Sequence, residues 1–308
     1  MSERTTVEVA GRAVTVSNLD KVLYPSVGFT KAAVIDYYVK VADVVLPHLG
    51  GRPLTMLRFP DGVEGERFFE KRCPDHRPDW VATIEVGGEG SGRRSGKRTE
   101  HCRIDDLPSL VWVANLASLE LHTSLARAPD VSQPTMVVFD LDPGAPAAMV
   151  ECCQVALKLK QVFDRLGLVA CAKTSGSKGL QVYVPVNGAT DYEETRGFAL
   201  AVGELLERVD PGLVTTNMNK DVRGGRVFID WSQNHLIKTT VCVYSLRAKE
   251  RPTVSTPVTW EEVAAAANAD AGTDPLRFEA DQVVERIDEH GDLFRPVLTV
   301  EQGLPELS

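Results

Sequence analysis

The chain has 308 residues, with 34 Lys and Arg against 43 Asp and Glu, a formal net charge of −9, and 43% apolar residues. This is the composition of a globular protein with a full core, and it excludes a disordered, collagen-like or disulfide-stapled chain. No run approaches the ~18 apolar residues of a membrane span. Met1–Thr6 lacks the apolar stretch of a secretory signal, so a cytoplasmic protein without membrane contact is expected. The acidic balance argues against nucleic-acid binding in general, but net charge does not fix the potential of a single groove.

Residues 5–17 alternate about Ala10-Gly11 and predict a β-hairpin. Thr30 caps a predicted helix from Lys31 to Leu46, in which Val34, Tyr37, Tyr38, Val41, Val44 and Val45 recur at helical spacing. Short strands follow at L-T-M-L-R-F, R-F-F-E-K and A-T-I-E-V. Gly87 to Gly96 reads as a loop and leads into the basic cluster Arg93, Arg94, Lys97 and Arg98. That cluster suits either phosphate contacts or a solvated loop. A helix is predicted from Leu107 to Leu119, ending near Leu121-His122.

The second half alternates strand and helix. Strands are predicted at T-M-V-V-F-D-L-D, V-A-C-A-K-T, L-Q-V-Y-V-P-V, R-V-F-I-D-W and T-T-V-C-V-Y-S-L. Helices are predicted at Ala147–Leu166, Tyr192–Val209, Trp260–Ala267 and Ala280–His290. The pattern defines an α/β (α+β) fold with a mixed sheet. Any internal division falls near residues 123–134, a polar stretch that contains prolines. It separates an N-terminal α+β portion, about 1–125, from a portion at about 134–295 within one domain.

The six cysteines, Cys73, Cys102, Cys152, Cys153, Cys171 and Cys242, form no C-x-x-C pair and are expected to be free thiols. Cys73, His76, His101 and Cys102 offer two thiols and two imidazoles, but their spacing fits no standard zinc finger.

Two motifs carry chemistry. Asp140 and Asp142 close a strand just before Pro143-Gly144. Residues two apart share a face ~7 Å apart along the strand, so the carboxylates repel unless a cation lies between them. The Pro-Gly turn predicts that they lie at a sheet edge. Asp230 is a third acid in an apolar strand, R-V-F-I-D-W. Mg²⁺ and Mn²⁺ favour such oxygens together with substrate phosphates. Turn capping or Arg pairing would also account for these residues. The second motif, Ser175-Gly176-Ser177-Lys178-Gly179, sits between two strands. Its small residues let backbone N–H groups converge on an anion, and its hydroxyls and Lys add donors, although a plain hairpin turn has the same composition. Metal ligands beside a triphosphate cradle are what nucleotidyl transfer requires.

Taken together, V-F-D-L-D-P-G, T-S-G-S-K-G-L, V-F-I-D-W-S-Q-N and Y-S-L-R resemble the polymerase domain of bacterial DNA ligase D, in the archaeo-eukaryotic primase (primase–polymerase) superfamily. L-D-K-V-L-Y-P, F-F-E-K and L-V-W-V-A-N-L-A-S-L-E-L-H extend the resemblance over roughly residues 12–295. It implies a primase-like catalytic module with a mixed sheet flanked by helices, here expected as a stand-alone chain. It also implies two divalent ions, Mn²⁺ in preference to Mg²⁺, and a nucleoside triphosphate substrate with tolerance for ribonucleotides. The implied task is short-gap filling in end joining or excision repair. DNA gaps or ends bearing a 5′-phosphate are the implied ligands, and a DNA ligase and Ku the implied partners.

By the resemblance, Asp140, Asp142 and Asp230 match the metal ligands, and His122 an active-site histidine. Ser175, Ser177, Lys178 and Gly179 match the triphosphate loop, with Lys238 and Arg247 basic positions near the nucleotide. Asn18, Lys21 and Lys31 match a 5′-phosphate pocket. Phe68 and Phe69 match template-stacking aromatics. Their adjacency on a strand predicts one buried and one exposed ring. Arg223 matches a mobile loop that positions template or primer, with Gly224 and Gly225 permitting movement. The chain departs from the family at Gln181, where a histidine that touches the nucleotide is usual; Gln keeps hydrogen bonding but carries no charge. Two alternatives stand beside gap filling: primer synthesis, and a DNA-end or gap-binding protein whose polymerase site is degraded at Gln181.

Overall fold

The computed structural model describes residues 4–87, 98–270 and 272–305. Arg93, Arg94, Lys97 and the predicted glycine loop beyond Gly87 lie outside the described residues. The chain forms two compact units, one made of 1–129, 239–255 and 278–292, the other of 130–238, 256–277 and 293–308. The first crossing falls at Pro129, inside the polar stretch. The later stretches at 239–255 and 278–292 return to the first unit, so the portion expected at 134–295 is not contiguous in space.

In the first unit, β1 (Arg4–Val9) and β2 (Arg12–Ser17) form the predicted hairpin, in register from Arg4 opposite Ser17 to Val9 opposite Arg12. Strands β3 (Val22–Tyr24) and β4 (Phe29–Thr30) pair next. Thr30 Oγ1 then accepts the Ala33 N–H and starts α1 (Lys31–Lys40). The predicted single helix is two: the backbone leaves helical geometry at Val41 and resumes as α2 (Ala42–Leu49). Strands β5 (Leu54–Arg58), β6 (Phe68–Glu70), β7 (Thr83–Val86) and β8 (Thr99–Cys102) follow. Asp106 caps α3 (Leu107–Asn115) through the Ser109 N–H. The helix predicted to reach Leu119 stops at Asn115. Ala117 takes a left-handed φ of 56°, and Ser118–Thr123 leaves as strand β9, paired along β5. Strand pairing wins because S-L-E-L-H-T alternates and can bury both faces.

In the second unit the order is β10 (Met136–Pro143), α4 (Met149–Arg165), β11 (Cys171–Thr174), β12 (Leu180–Pro185), α5 (Tyr192–Val209), β13 (Val214–Thr215) and β14 (Val227–Asp230). The chain returns to the first unit as β15 (Thr240–Val241), a remnant of the longer predicted strand. It then supplies β16 (Pro257–Val258) and α6 (Trp260–Ala266) to the second unit, α7 (Ala280–His290) to the first and α8 (Pro296–Thr299) to the second. The first unit's main sheet runs β15-β9-β5-β8-β7, with β6 also on β5. The second unit's sheet runs β13-β14-β10-β12-β11-β16, antiparallel except for β13–β14. This is the mixed sheet expected. Strand β10 lies in its interior, so Asp140 and Asp142 are not at a sheet edge, and a ligand must approach across the face.

The pleat decides what each face of β10 carries. Phe139 and Leu141 turn to one side, where Phe139 packs against Phe163 of α4 and Phe198 of α5 at centroid separations of 5.2 and 6.2 Å. Asp140 and Asp142 turn to the other. Two backbones press on this strand. A Cβ on Gly179 would lie 2.1 Å from the Leu141 carbonyl oxygen, and one on Gly144 would lie 2.1 Å from that of Arg223.

The expectation of six free thiols is corrected at one pair. Cys73 and Cys102 form a disulfide, reached because the Cys73 N–H donates to the Glu100 carbonyl and lays the loop along β8. The other four cysteines are buried thiols outside the disulfide. With both sulfurs consumed, the two-Cys, two-His zinc set is ruled out. His101 instead faces the Leu54 carbonyl, and His76 packs near Trp112.

Gly144→Ala is expected to cost about 1–3 kcal/mol, since backbone must move to admit the methyl group. Urea unfolding measures it, and an unchanged midpoint would show that the close approach is not real.

Candidate active site

Strand register builds the centre of the second unit. Asp230 on β14 lies directly opposite Asp140 on β10, Asp140 opposite Gln181 on β12, and Gln181 opposite Lys173 on β11. Four strands thus contribute one residue each to a row across the sheet face, and Asp142 stands one step along β10. Ligand atoms of Asp140, Asp142 and Asp230 all lie within 4.8 Å of one another. Burial and then the neighbouring Asp142 push the Asp140 carboxyl up to about 7, against the hydrogen bond from Gln181. Asp142 is raised by burial and by Asp230, with Arg223 opposing. Three hard oxygen donors carrying more negative charge than they can hold apart are suited to a divalent cation. When bound, such ions polarise phosphate oxygens and activate a hydroxyl nucleophile.

Asp230 is held by the turn it caps. Its Oδ1 accepts from the Ser232 N–H (3.1 Å) and hydroxyl (2.5 Å), and its Oδ2 from Gln233 Nε2 (2.8 Å). Lys238 Nζ donates to Ser232 Oγ at 2.6 Å, so this cation reaches Asp230 through a hydroxyl. Asn234, fully buried, fixes the same turn: its amide accepts the Val138 N–H and donates to the Val138 carbonyl, continuing the ladder where β14 has ended. Ser232, Gln233 and Asn234 were not singled out from the sequence. Their signal is the run of short polar residues following a strand-borne acid.

The 175–179 segment is the β11–β12 hairpin. The Ser175 N–H donates to the Gly179 carbonyl, and Ser175 Oγ accepts the N–H groups of Ser177 and Gly179. The serine expected on a phosphate thus braces the loop, while Lys178 is exposed. Gln181, expected to touch the nucleotide, is 3% exposed and turned to Asp140 and Lys173. The Arg223 segment is pinned by backbone bonds between Gly144 and Arg226 and between Gly225 and Gly144. Arg223 donates to the Met218 carbonyl (2.6 Å), and its guanidinium lies 3.6 Å from the Phe228 ring centroid. A cavity of about 790 Å³ in this unit is lined by residues such as Phe198, Ala201 and Leu304 and by none of the acid row. Chemistry, rather than volume, marks the candidate site.

The first unit holds a second cluster. Glu120, 4% exposed, accepts from the Ala248 N–H (3.0 Å), meets Arg247 Nε at 3.2 Å and shares a hydrogen bond with His122 Nε2 at 2.9 Å. Burial alone would raise the Glu120 carboxyl. The His122 bond and the Arg247 charge outweigh it and bring it down to about 2. Glu120 is therefore an ionised hub that the sequence reading missed. Its signal lay in L-E-L-H, where residues two apart share a face. Phe69 stands edge-on to His122 at 6.3 Å, with Lys71 Nζ 5.5 Å from its ring centroid. Phe68 and Phe69 are both exposed, at 49% and 55%, against the expected in–out pair. Strand β6 is three residues long, pairs among the described residues with β5 alone, and has neither face covered at the two rings.

Asn18 and Lys21 line one cavity of about 540 Å³, and the Lys21 N–H donates to the Asn18 carbonyl. The Lys31 N–H donates in turn to the Lys21 carbonyl. Lys31 is 6% exposed, and its ammonium reaches Ser17 Oγ at 3.4 Å. Burial, then the charges of Lys21 and Arg58, lowers it to about 8. Lys21 forms a surface pair with Asp61 at 2.6 Å. Arg98, the described member of the basic cluster, pairs with Glu85 in solvent. Among the described residues, no helix is long and apolar enough to cross a membrane.

Three carboxylates on adjoining antiparallel strands, next to a glycine–serine hairpin, define a site of the nucleotidyltransferase class. The family model of the LigD primase-polymerase domain matches residues 30–294, and the chain belongs to this family. The multifunctional non-homologous end joining protein LigD of Mycolicibacterium smegmatis is 42% identical over 286 residues, 92% of this chain and 36% of its own length. The bifunctional end joining protein LigD of Bacillus subtilis is 33% identical over 279 residues, 90% of this chain and 43% of its own. The chain thus spans well under half the length of these relatives. A solved polymerase domain of Mycobacterium tuberculosis ligase D, in complex with DNA, superposes with a TM-score of 0.85 at 38% identity over 94% of this chain and 99% of that one.

Asp140 has a folded pKa above its unfolded value, so its ionisation weakens the metal-free fold. The cost begins near the unfolded value of 3.8 and is complete above about 7. Asp140→Asn is expected to melt higher than the parent at pH 8 without cations, and to lack the rise in Tm on adding Mn²⁺ that is expected of the parent. A variant melting lower than the parent under those conditions would contradict the repulsion.

Proposed function

We propose that this chain extends DNA primers by template-directed nucleotidyl transfer at the acid row, filling short gaps during end joining. Two divalent ions serve the reaction, Mn²⁺ better than Mg²⁺, and ribonucleotides are accepted. The observation that carries the reading is the convergence of Asp140, Asp142 and Asp230 within 4.8 Å on one sheet face. The end-joining names of the relatives and the DNA-bound state of the tuberculosis domain support DNA as the ligand and a ligase as the partner. In this reading Asp230 also orients the primer 3′-hydroxyl, and the 175–179 hairpin with Lys238 meets the triphosphate. Within the first unit, Glu120 keeps His122 and Arg247 in fixed orientations.

The alternative of a pure end-binding protein loses weight at Gln181. The side chain retains a donor on Asp140 at 3.0 Å, so the departure from histidine leaves the acid row supported. Primer extension on gapped DNA with Mn²⁺ separates the readings. Extension by the parent chain is expected, and its loss to background in Asp140→Ala and Asp142→Ala, with binding to gapped DNA retained. Extension that survives either change would place the chemistry elsewhere. A parent chain that binds but never extends would favour the end-binding reading.

The buried ammonium of Lys31, set among other cations, supports an anion site for the 5′-phosphate. Its pKa of about 8 makes the site pH-dependent. In the free protein the charge is full well below pH 8 and lost above it. Preference for 5′-phosphorylated over 5′-hydroxyl gapped DNA is therefore expected to fall between pH 7 and pH 9.5. A ratio that stays flat in fluorescence-anisotropy titrations would remove Lys31 from the pocket.

A further inference from the structure

Lys173 is the residue in the row that no motif explains. Its side chain is 1% exposed on an interior strand, a costly place for a cation unless it is held and used. Its Nζ donates to Gln181 Oε1 at 2.5 Å and lies 5.5 Å from the Tyr183 ring centroid. The Tyr183 hydroxyl donates to the same oxygen at 3.2 Å. Two donors converging on Oε1 leave the Gln181 amide only one orientation, with its NH₂ toward Asp140. Nε2 indeed donates to Asp140 Oδ1 at 3.0 Å. The chain of contacts runs from a buried cation, through an amide that cannot flip, to one oxygen of an acid in the cation-binding cluster.

We propose that Lys173 and Gln181 are positioning residues for the cation site. Lys173, with Tyr183, locks the Gln181 amide, and the amide ties down Asp140 Oδ1, so that Oδ2 faces the ion in a fixed direction. The inference rests on the reading of the acid row as a divalent-cation site. It also gives the departure at position 181 a physical content. A carbonyl oxygen has two lone pairs and accepts both Lys173 and Tyr183, whereas an acceptor ring nitrogen has one and can take only one of them. Glutamine at 181 and a lysine–tyrosine pair aimed at it are thus mutually fitted. Groups bound to metal-ligating side chains orient those ligands, and their removal typically lowers metal affinity by about 10–100-fold.

The test is a Mn²⁺ titration of the full chain without DNA or nucleotide, with free Mn²⁺ counted by its electron paramagnetic resonance signal and the fold checked by circular dichroism. Asp142→Ala, Lys173→Met, Gln181→Met, Gln181→His and the Lys173→Met/Gln181→Met double variant are compared with the parent. Both single methionine variants are expected to weaken Mn²⁺ binding roughly tenfold. The double variant should lie close to Gln181→Met alone, because Lys173 acts chiefly through the amide, its direct charge on Asp140 being a lesser effect. Gln181→His should fall between the parent and Gln181→Met. Parent-like affinity in Gln181→Met overturns the proposal, as does a double variant whose losses add. Should Lys173→Met fail to fold, Tyr183→Phe, which removes a single hydroxyl from the same oxygen, takes its place, and unchanged affinity there counts against the locked amide. Asp142→Ala isolates the underlying reading. If it binds Mn²⁺ as the parent does, the acid row is not the cation site. If it is weakened while the position-181 variants are not, the cation site stands and the positioning role fails.

Discussion

Cross-strand register is the constraint on which the rest of the second unit depends. Asp230, Asp140, Gln181 and Lys173 face one another across four neighbouring strands because β14, β10, β12 and β11 pair at one alignment. A slip of one residue in any pair would turn that strand's polar member into the layer where Phe139 packs on α4 and α5, and bring an apolar neighbour to the open face. The apolar layer therefore fixes the polar row. Burial of Phe139, Leu141, Val182 and Ile229 is stabilising only in the alignment that also gathers the acids.

The row is ordered by charge, with two carboxylates at one end, an amide between and an ammonium at the other. The carboxylate end is held in tension by burial and mutual repulsion, which is the state a divalent cation relieves. The other end is settled by hydrogen bonds. Close backbone approaches hold the surrounding loops: Gly179 lets the hairpin lie on the Leu141 carbonyl, and Gly144 does the same for the Arg223 segment. The glycines of these loops serve contact as much as flexibility. In the first unit the same economy recurs on a smaller scale, where one ionised carboxylate, Glu120, holds both a histidine and an arginine.

Much of this was legible in the residues themselves. The hairpin about Ala10-Gly11, the cap at Thr30, the long amphipathic helix from Tyr192 and the strand ending in Asp140 and Asp142 all rest on local patterns that tertiary packing did not override. Where local pattern was ambiguous, packing decided. The stretch after Asn115 could continue a helix or alternate as a strand, and the vacant edge of β5 selected the strand. The in–out rule failed at Phe68 and Phe69 because neither face of that three-residue edge strand is covered. Pairings between distant residues were beyond sequence reading. No spacing rule links Cys73 to Cys102, Glu120 to Arg247, or Lys173 to Gln181 and Asp140, because each depends on how strands lie side by side. Residue pattern and family resemblance both pointed to the acids and the hairpin, but neither could show that Ser175 braces its own loop or that Gln181 is buried.

The most direct test of the central claim is a crystal structure of the chain soaked with Mn²⁺ and a non-hydrolysable nucleoside triphosphate, read by anomalous scattering. Manganese peaks are expected within ~2.0–2.4 Å of oxygens of Asp140, Asp142 and Asp230, with the triphosphate against the 175–179 hairpin. Peaks coordinated elsewhere, or a triphosphate bound away from that hairpin, would contradict the account.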